Sequence, residues 1–300
     1  MLSLHTNNAA LSAQNSITRT QDSLSTSMTR LSTGYRINSA MDDAAGLQIA
    51  TRLKAQTSGM AMAMRNTQNS VSMIQTADGA LDETTSILTR MKDLATQAAD
   101  GSAADSDRTA MQSEYDALTK ELSNIVSNTS FGGTTLLSTK ADSKFNTAIT
   151  FQIGSSASET MSVDLTASGD SSLTNMHAAV LAASANYVSD GTTPPATSGT
   201  ELTTGSGTGA NATIDLLKTA IDSVSTVRSA LGAASNRLDH VYNNLSNMST
   251  NTKNASGRIM DVDFATESAS MMSSQMLLQA GTAMLKQSNS QSSLVLSLLQ

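Results

Sequence analysis

The 300-residue chain contains two prolines, Pro194 and Pro195, side by side. Elsewhere nothing carries the residue that most reliably breaks a helix, so long helices are permitted on both sides of that pair. The apolar residues are spaced for them. From residue 53 a seven-residue ladder runs Leu53, Met60, Thr67, Ile74, Leu81, Leu88 and Ala95. Met64, Val71, Met91 and Ala98 fall three or four residues beyond a rung, which is the pattern of a coiled-coil seam. The ladder stops at Asp100-Gly101, where a left-handed glycine is expected to close the helix. A second seam, Met111, Tyr115, Leu118, Leu122 and Ile125, ends before the turn residues Phe131-Gly132-Gly133. A third follows far downstream at Leu217, Val224, Leu231, Leu238 and Leu245, with Ile221, Val241 and Met248 on alternate rungs. Helices joined by a short loop pack antiparallel, and the third ladder finds its partner in the first two.

Both ends repeat the pattern more thinly. Leu4, Leu11, Ile17, Leu24 and Leu31, with Met28, mark one end; Met271, Leu278 and Leu285, with Leu277 and Met284, mark the other. A lone helix with so narrow a stripe is marginal in water, so both ends are expected to be mobile until something packs on them. Because the three inner seams satisfy one another, these terminal stripes are predicted to lack partners within the chain and to pack between subunits. Leu4, Leu11, Ile17, Leu24, Leu31, Met271, Leu278 and Leu285 are therefore the candidate polymerisation interface.

Between the helices, residues 148–165 (AITFQIGSSASETMSVDL) alternate apolar and polar around a Gly/Ser-rich centre, the signature of a β-hairpin. Residues 186–211 are nearly free of apolar side chains and are expected to form an exposed loop. The fold class that results is mainly α: an elongated bundle of long antiparallel coiled-coil-like helices from both chain ends, with a small β-hairpin region. Composition agrees, since aromatic residues make up 3% of the chain, Trp and Cys are absent and Met is plentiful at 17, which suits thin helical layers rather than a thick core of rings. Charged residues are 14% against roughly 25% in soluble domains, leaving polar, weakly charged surfaces that can stack.

Several function classes are disfavoured. A net charge of −7 offers no cationic stripe for phosphates, so no nucleic acid is expected as a partner. No apolar run approaches the roughly 20 residues that span a bilayer, so no membrane insertion is expected. The start has neither the basic nor the apolar stretch of a secretory signal. Without cysteine there are no disulfides, thiolate metal sites or thiol nucleophiles. His5, His177 and His240 show no ligand spacing and are expected to be solvated or interfacial. GSGTGA (205–210) spells a dinucleotide fingerprint by letters, yet no strand precedes it, and flexible loop is the better reading. Asp42-Asp43 and Asp261/Asp263 stand near expected helix starts, where carboxylates cap free amides. The expectation is a protein that is not an enzyme and holds no cofactor or metal.

Four blocks then carry a resemblance. RLSTGYRINSAMDDAAGLQIA (30–50) and QTADGALDETTSILTRMKDLATQAADG (75–101) resemble the amino-terminal signature of bacterial flagellins. LGAASNRLDHVYNNL (231–245) and RIMDVDFATESASMM (258–272) resemble the carboxy-terminal one, followed by the ending LVLSLLQ. The likeness covers roughly residues 1–140 and 213–300, in order at both ends; Lys92-Asp93 and Met260 depart from the usual pattern. It implies an N-terminal inner-tube helix over 1–43, rod helices with the hairpin over 44–185, a short variable loop over 186–212, a returning rod helix over 213–255 and a C-terminal inner-tube helix over 256–300. It also implies a secreted, extracellular filament subunit for motility, exported through the flagellum's own type III apparatus. Its partners would be itself as a helical homopolymer, an export chaperone, the filament cap and the hook-junction proteins. A zinc-protease insertion, found in some members, would need an H-E-x-x-H that is absent. A host Toll-like receptor recognises the family through rod helices, and the matching positions are Arg90, Leu94, Gln97 and Glu114. The competing readings are a hook–filament junction protein and a surface adhesin contacting through 186–211.

Overall fold

The ladder from Leu53 to Ala98 lies on one uninterrupted helix, α2 (Ala44–Ala98), of 55 residues. The computed structural model describes residues 7–166, 172–192, 198–205 and 207–298, with side chains as far as 291. Leu4, His5, the Pro194-Pro195 pair and the final residues lie outside the described set. The other described helices are α1 (Asn8–Thr33), α3 (Asp105–Asn128), α4 (Leu173–Ala183), α5 (Thr208–Met260) and α6 (Phe264–Leu298). The chain divides into two units, residues 58–248 and residues 1–57 with 249–300; α2 and α5 contribute to both. The class is mainly α, with long helices from both ends, as the periodicity predicts.

In the 58–248 unit the three inner ladders close on one another. Met60, Thr67, Ile74, Leu81, Leu88 and Ala95 of α2 are buried, as are Met111, Tyr115 and Leu122 of α3 and Leu217, Val224, Leu231, Leu238 and Leu245 of α5. Burying a large apolar side chain contributes about 1.5–3 kcal/mol, so a common core is what offsets the ordering of such long elements. The register is fixed by polar pairs. Arg228 of α5 reaches Asp78 at 3.0 Å and Asp82 at 2.8 Å on α2, while Leu245 packs with Met60, so these helices run antiparallel. The α2–α3 connection is closed differently from expectation. Gly101 is not among the left-handed glycines; the free carbonyls at the end of α2 are taken by Arg108, which is 5% exposed. Its Nε donates to Ala98 O at 3.0 Å, its Nη2 to Asp100 O at 3.1 Å and its Nη1 to Asp105 at 3.1 Å. A cation at a helix C-terminus also complements the dipole.

The expected hairpin forms from β3 (Ile149–Gln152) and β4 (Thr160–Val163), antiparallel with Phe151 opposite Met161 and Ile149 opposite Val163. A smaller pair, β1 (Ser130–Phe131) and β2 (Thr134–Thr135), turns through Gly132 and Gly133 at φ 59° and 83°, values that favour glycine. Helix α4 is not foreshadowed by any ladder. It buries Leu173, Met176, His177, Val180 and Ala183, and Ala183 O accepts a 2.6 Å bond from the Tyr115 hydroxyl.

The described parts of 186–211 differ from the free loop expected. Tyr187 and Leu202 are buried, and side chains of α3 hold the backbone. Val188 N donates to Ser123 Oγ at 3.1 Å, Leu202 N to Gln112 Oε1 at 2.8 Å and Gly199 N to Asp116 at 3.1 Å. Glu201 accepts from Gln112 Nε2 at 2.8 Å and from Ala185 N at 2.9 Å. Backbone donors that would otherwise be stranded beside a helix are met by these carboxylates and amides. His177 also departs from its expected solvated place. It is buried, with Nδ1 2.7 Å from the Tyr187 hydroxyl and Nε2 2.8 Å from Leu137 O.

Candidate assembly and recognition surfaces

The unit of residues 1–57 and 249–300 is built on α1 and α6. Helix α1 opens on Asn7, whose Oδ1 accepts from Ala10 N at 3.1 Å, and ends at Gly34, φ 76°, whose N–H bonds Arg30 O at 2.9 Å. The chain then breaks until Asp43, whose Oδ1 accepts from Gly46 N at 2.8 Å and starts α2. On the returning strand α5 stops at Met260, and Asp263 starts α6 by accepting from Ala265 N at 3.1 Å and from the Thr266 hydroxyl at 2.6 Å. The two breaks are stitched together. Arg36 N donates to Met260 O at 2.6 Å, Val262 N to Gly34 O at 3.0 Å, and Tyr35 bridges Asp261. The Arg36 guanidinium caps α5 through Ile259 O at 2.9 Å.

Of the four aspartates expected at helix starts, Asp43 and Asp263 therefore cap helices. Asp42 instead closes the preceding turn, accepting from Ser39 N at 2.8 Å and Asn38 N at 2.9 Å, and those backbone donors hold its carboxyl below the usual range. The Thr266 hydroxyl and the Ala265 amide do the same for Asp263.

Helices α1 and α6 are each other's partner. Half-buried or buried positions recur at Ala10, Ala13, Ile17, Thr20, Leu24, Ser27 and Leu31 on α1, and at Glu267, Met271, Ser274, Leu278, Gly281, Leu285 and Ser288 on α6. Asn7 Nδ2 bonds Ser288 Oγ at 3.1 Å, Gly281 faces Ile17, and Arg30 lies 3.6 Å from Glu267, so the pair is antiparallel. Ile17, Leu24, Leu31, Met271, Leu278 and Leu285 thus meet within the chain. This corrects the premise that the terminal stripes have no partner there: a seven-residue repeat shows that a face is covered and not by which molecule. Leu11 points off the seam and is exposed; Leu4 is outside the described residues. What the pair leaves open is another face of α6, where Met272, Met276, Leu277 and Met284 are exposed; Leu11, Met28, Met41 and Phe264 are exposed elsewhere in the same unit.

In the 58–248 unit Arg90 and Glu114 form an exposed ion pair, with Nε and Nη2 of the arginine 2.9 Å and 2.6 Å from one carboxylate oxygen. Gln97 is exposed on the same helix as Arg90. Leu94, grouped with them by the resemblance, is instead in the core at 2% exposure. Its neighbours Met91, Ala95 and Ala98 are buried too, because α2 is covered along this stretch by α3 as well as by α5.

Comparison with known proteins decides the family. The model of the bacterial flagellin N-terminal helical region matches residues 4–142, and that of the flagellin C-terminal helical region matches residues 214–299. The chain belongs to the bacterial flagellin family. Flagellin A of Vibrio cholerae is 35% identical, with the whole of both chains covered, and Flagellin B of Vibrio anguillarum is 34% identical over 99% of each. The Vibrio cholerae alignment runs to 382 positions for these 300 residues, so that relative has stretches this flagellin lacks. A solved flagellar hook-associated protein from Vibrio parahaemolyticus shares the fold, with a TM-score of 0.56, 17% identity and coverage of 73% of this chain and 100% of that one. Flagellins are structural proteins, and this one is a structural subunit of the bacterial flagellar filament. Among the described residues no helix is long and apolar enough to cross a membrane, and no three acidic or histidine side chains gather to hold a metal ion.

Proposed function

We propose that this flagellin polymerises through the outer faces of its α1–α6 pair, which would form the inner tube of an extracellular filament used for motility. The observation that carries this reading is the exposed apolar set on α6. Helix α6 has 35 residues and two charged side chains, Glu267 and Lys286, and Glu267 is engaged by Arg30. Charge-poor helical faces bearing Met272, Met276, Leu277 and Met284 are suited to burial against copies of themselves. The seam residues act one step earlier, by holding α1 and α6 together so that these faces are presented. Membership of the flagellin family supports export through the flagellar apparatus, with a chaperone, a cap and junction proteins as partners. Two variants test the reading. Met276→Glu should block polymerisation while leaving the helical signal of the monomer intact. Removing residues 256–300 should leave the 58–248 unit folded and abolish filaments, and long filaments from either would refute the proposal.

A second reading concerns host recognition. The preformed Arg90–Glu114 pair with Gln97 supports a Toll-like-receptor contact, with Leu94 acting beneath the surface to fix α2. Arg90→Ala should reduce the response of receptor-bearing reporter cells to purified monomer by about tenfold, the size of a lost charge-assisted contact. No response to the unaltered monomer would end that reading. A surface-adhesin role loses its main support, since the described parts of 186–211 are fastened to α3 rather than free.

A further inference from the structure

The most exposed methionines lie in one unit and the buried ones in the other, although Met62 at 49% and Met248 at 37% are also exposed within residues 58–248. Met60, Met73, Met91, Met111, Met161 and Met176 are all buried, and all belong to residues 58–248. The most exposed methionines lie in the other unit: Met41 at 97%, Met284 at 69%, Met276 at 65%, Met272 at 62% and Met28 at 50%. The chain has no cysteine and no tryptophan, so no thiol intercepts an oxidant before the thioethers do.

We propose that Met272, Met276 and Met284 are oxidation sites at which a hydroperoxide, with hydrogen peroxide as the simplest case, switches the free subunit out of assembly. The inference rests on the reading of α6 as the polymerising face. In the reaction a thioether sulfur lone pair attacks the terminal peroxide oxygen. An S–O bond forms as the O–O bond breaks, and after proton transfer the departing oxygen leaves as water from hydrogen peroxide or as an alcohol from an organic hydroperoxide. Sulfur is oxidised by two electrons and the peroxide is reduced by two. The product replaces a soft apolar tip with a strongly polar sulfoxide. On a monomer this is harmless, because these side chains stand in water. In a subunit contact each sulfoxide oxygen must be desolvated, and a buried polar group without a partner opposes association. The change is reversible by a thiol-dependent methionine sulfoxide reductase, which returns the thioether and releases the oxygen as water. Once assembled, the same sulfurs would be covered, which confines the sensitivity to the unpolymerised pool.

The test uses the full chain. Monomer is treated with graded hydrogen peroxide, mapped by peptide mass spectrometry, and then polymerised under light scattering. Sulfoxide should appear at Met272, Met276 and Met284 well before Met60, Met91 and Met176. The concentration needed for assembly should rise about tenfold or more, and sulfoxide reductase should restore it. The triple variant Met272→Leu, Met276→Leu, Met284→Leu should assemble equally with and without peroxide. Normal assembly of wild-type monomer whose three sites are shown to be oxidised overturns the proposal. So does a peroxide-sensitive triple variant, which places the effect on other residues. The polymerising-face reading stands or falls separately on Met276→Glu, so failure of the one is distinguishable from failure of the other.

Discussion

The imidazole of His177 sits between two oxygen partners in a place water does not reach, with the Tyr187 ring stacked 6.1 Å away. Burial penalises the imidazolium and lowers its pKa to about 4, although the bond to Leu137 O opposes the shift. The folded chain therefore refuses a proton that the unfolded chain accepts near pH 6.5. Stability from this group is complete above pH 6.5 and is lost as pH falls toward 4, by up to about 3 kcal/mol. Urea unfolding of the 58–248 unit at pH 7 and pH 4.5 should show that loss, and His177→Gln should flatten it at the cost of lower stability at pH 7. Equal pH slopes in both proteins would assign the effect to other groups. Neither His177 nor Leu94 was legible from its neighbours in sequence. Their burial depends on α4, the 186–189 segment and α3 arriving from elsewhere, whereas Leu81 and Leu231 declare theirs through repeats that persist over several turns.

At the scale of elements, the α1–α6 seam is made chiefly of small and polar residues. Ser27 is its most buried member on α1, and Gly281 approaches so closely that an added Cβ would stand 2.9 Å from Ile17 Cγ1. Gly281→Leu should therefore push the helices apart and lower helical content in circular dichroism, even though leucine favours a helix over glycine by nearly 1 kcal/mol. Unchanged or increased helicity would mean that the seam tolerates the wider spacing. The ladders in 53–125 and 217–248 could be read because most rungs are large enough to leave a period and each helix has its partner in the same unit. The terminal ladders could be read as faces, but their partner could not, since an antiparallel mate and a neighbouring subunit ask for the same spacing. Helix α4 and the fastened segment left no signal of that kind. The first is 11 residues long, and the second is held through Gln112, Asp116 and Glu201 rather than through apolar side chains.

For the whole molecule, charge is unevenly shared. Residues 1–57 and 249–300 carry slightly more cationic than anionic side chains, so residues 58–248 hold more than the whole of the chain's net negative charge. Copies of the acidic unit repel one another as filaments grow, and salt shortens the reach of that repulsion to about 10 Å at 0.1 M. Polymerisation should accelerate several-fold between about 0.02 and 0.2 M salt, as followed by light scattering. Slower assembly at the higher salt would instead point to attractive charge pairs between subunits. The two fastened flanks of the 186–205 segment have a bearing on what the molecule can be made to carry. Ser189 is tied to Ser138 and Thr139, and Gly199 and Leu202 are tied to α3. A foreign peptide spliced between residues 192 and 198 would enter and leave at anchored points. Each doubling of its length would add about 0.6 kcal/mol of closure entropy, which makes this position a docking frame for displayed cargo, repeated once per subunit along a filament.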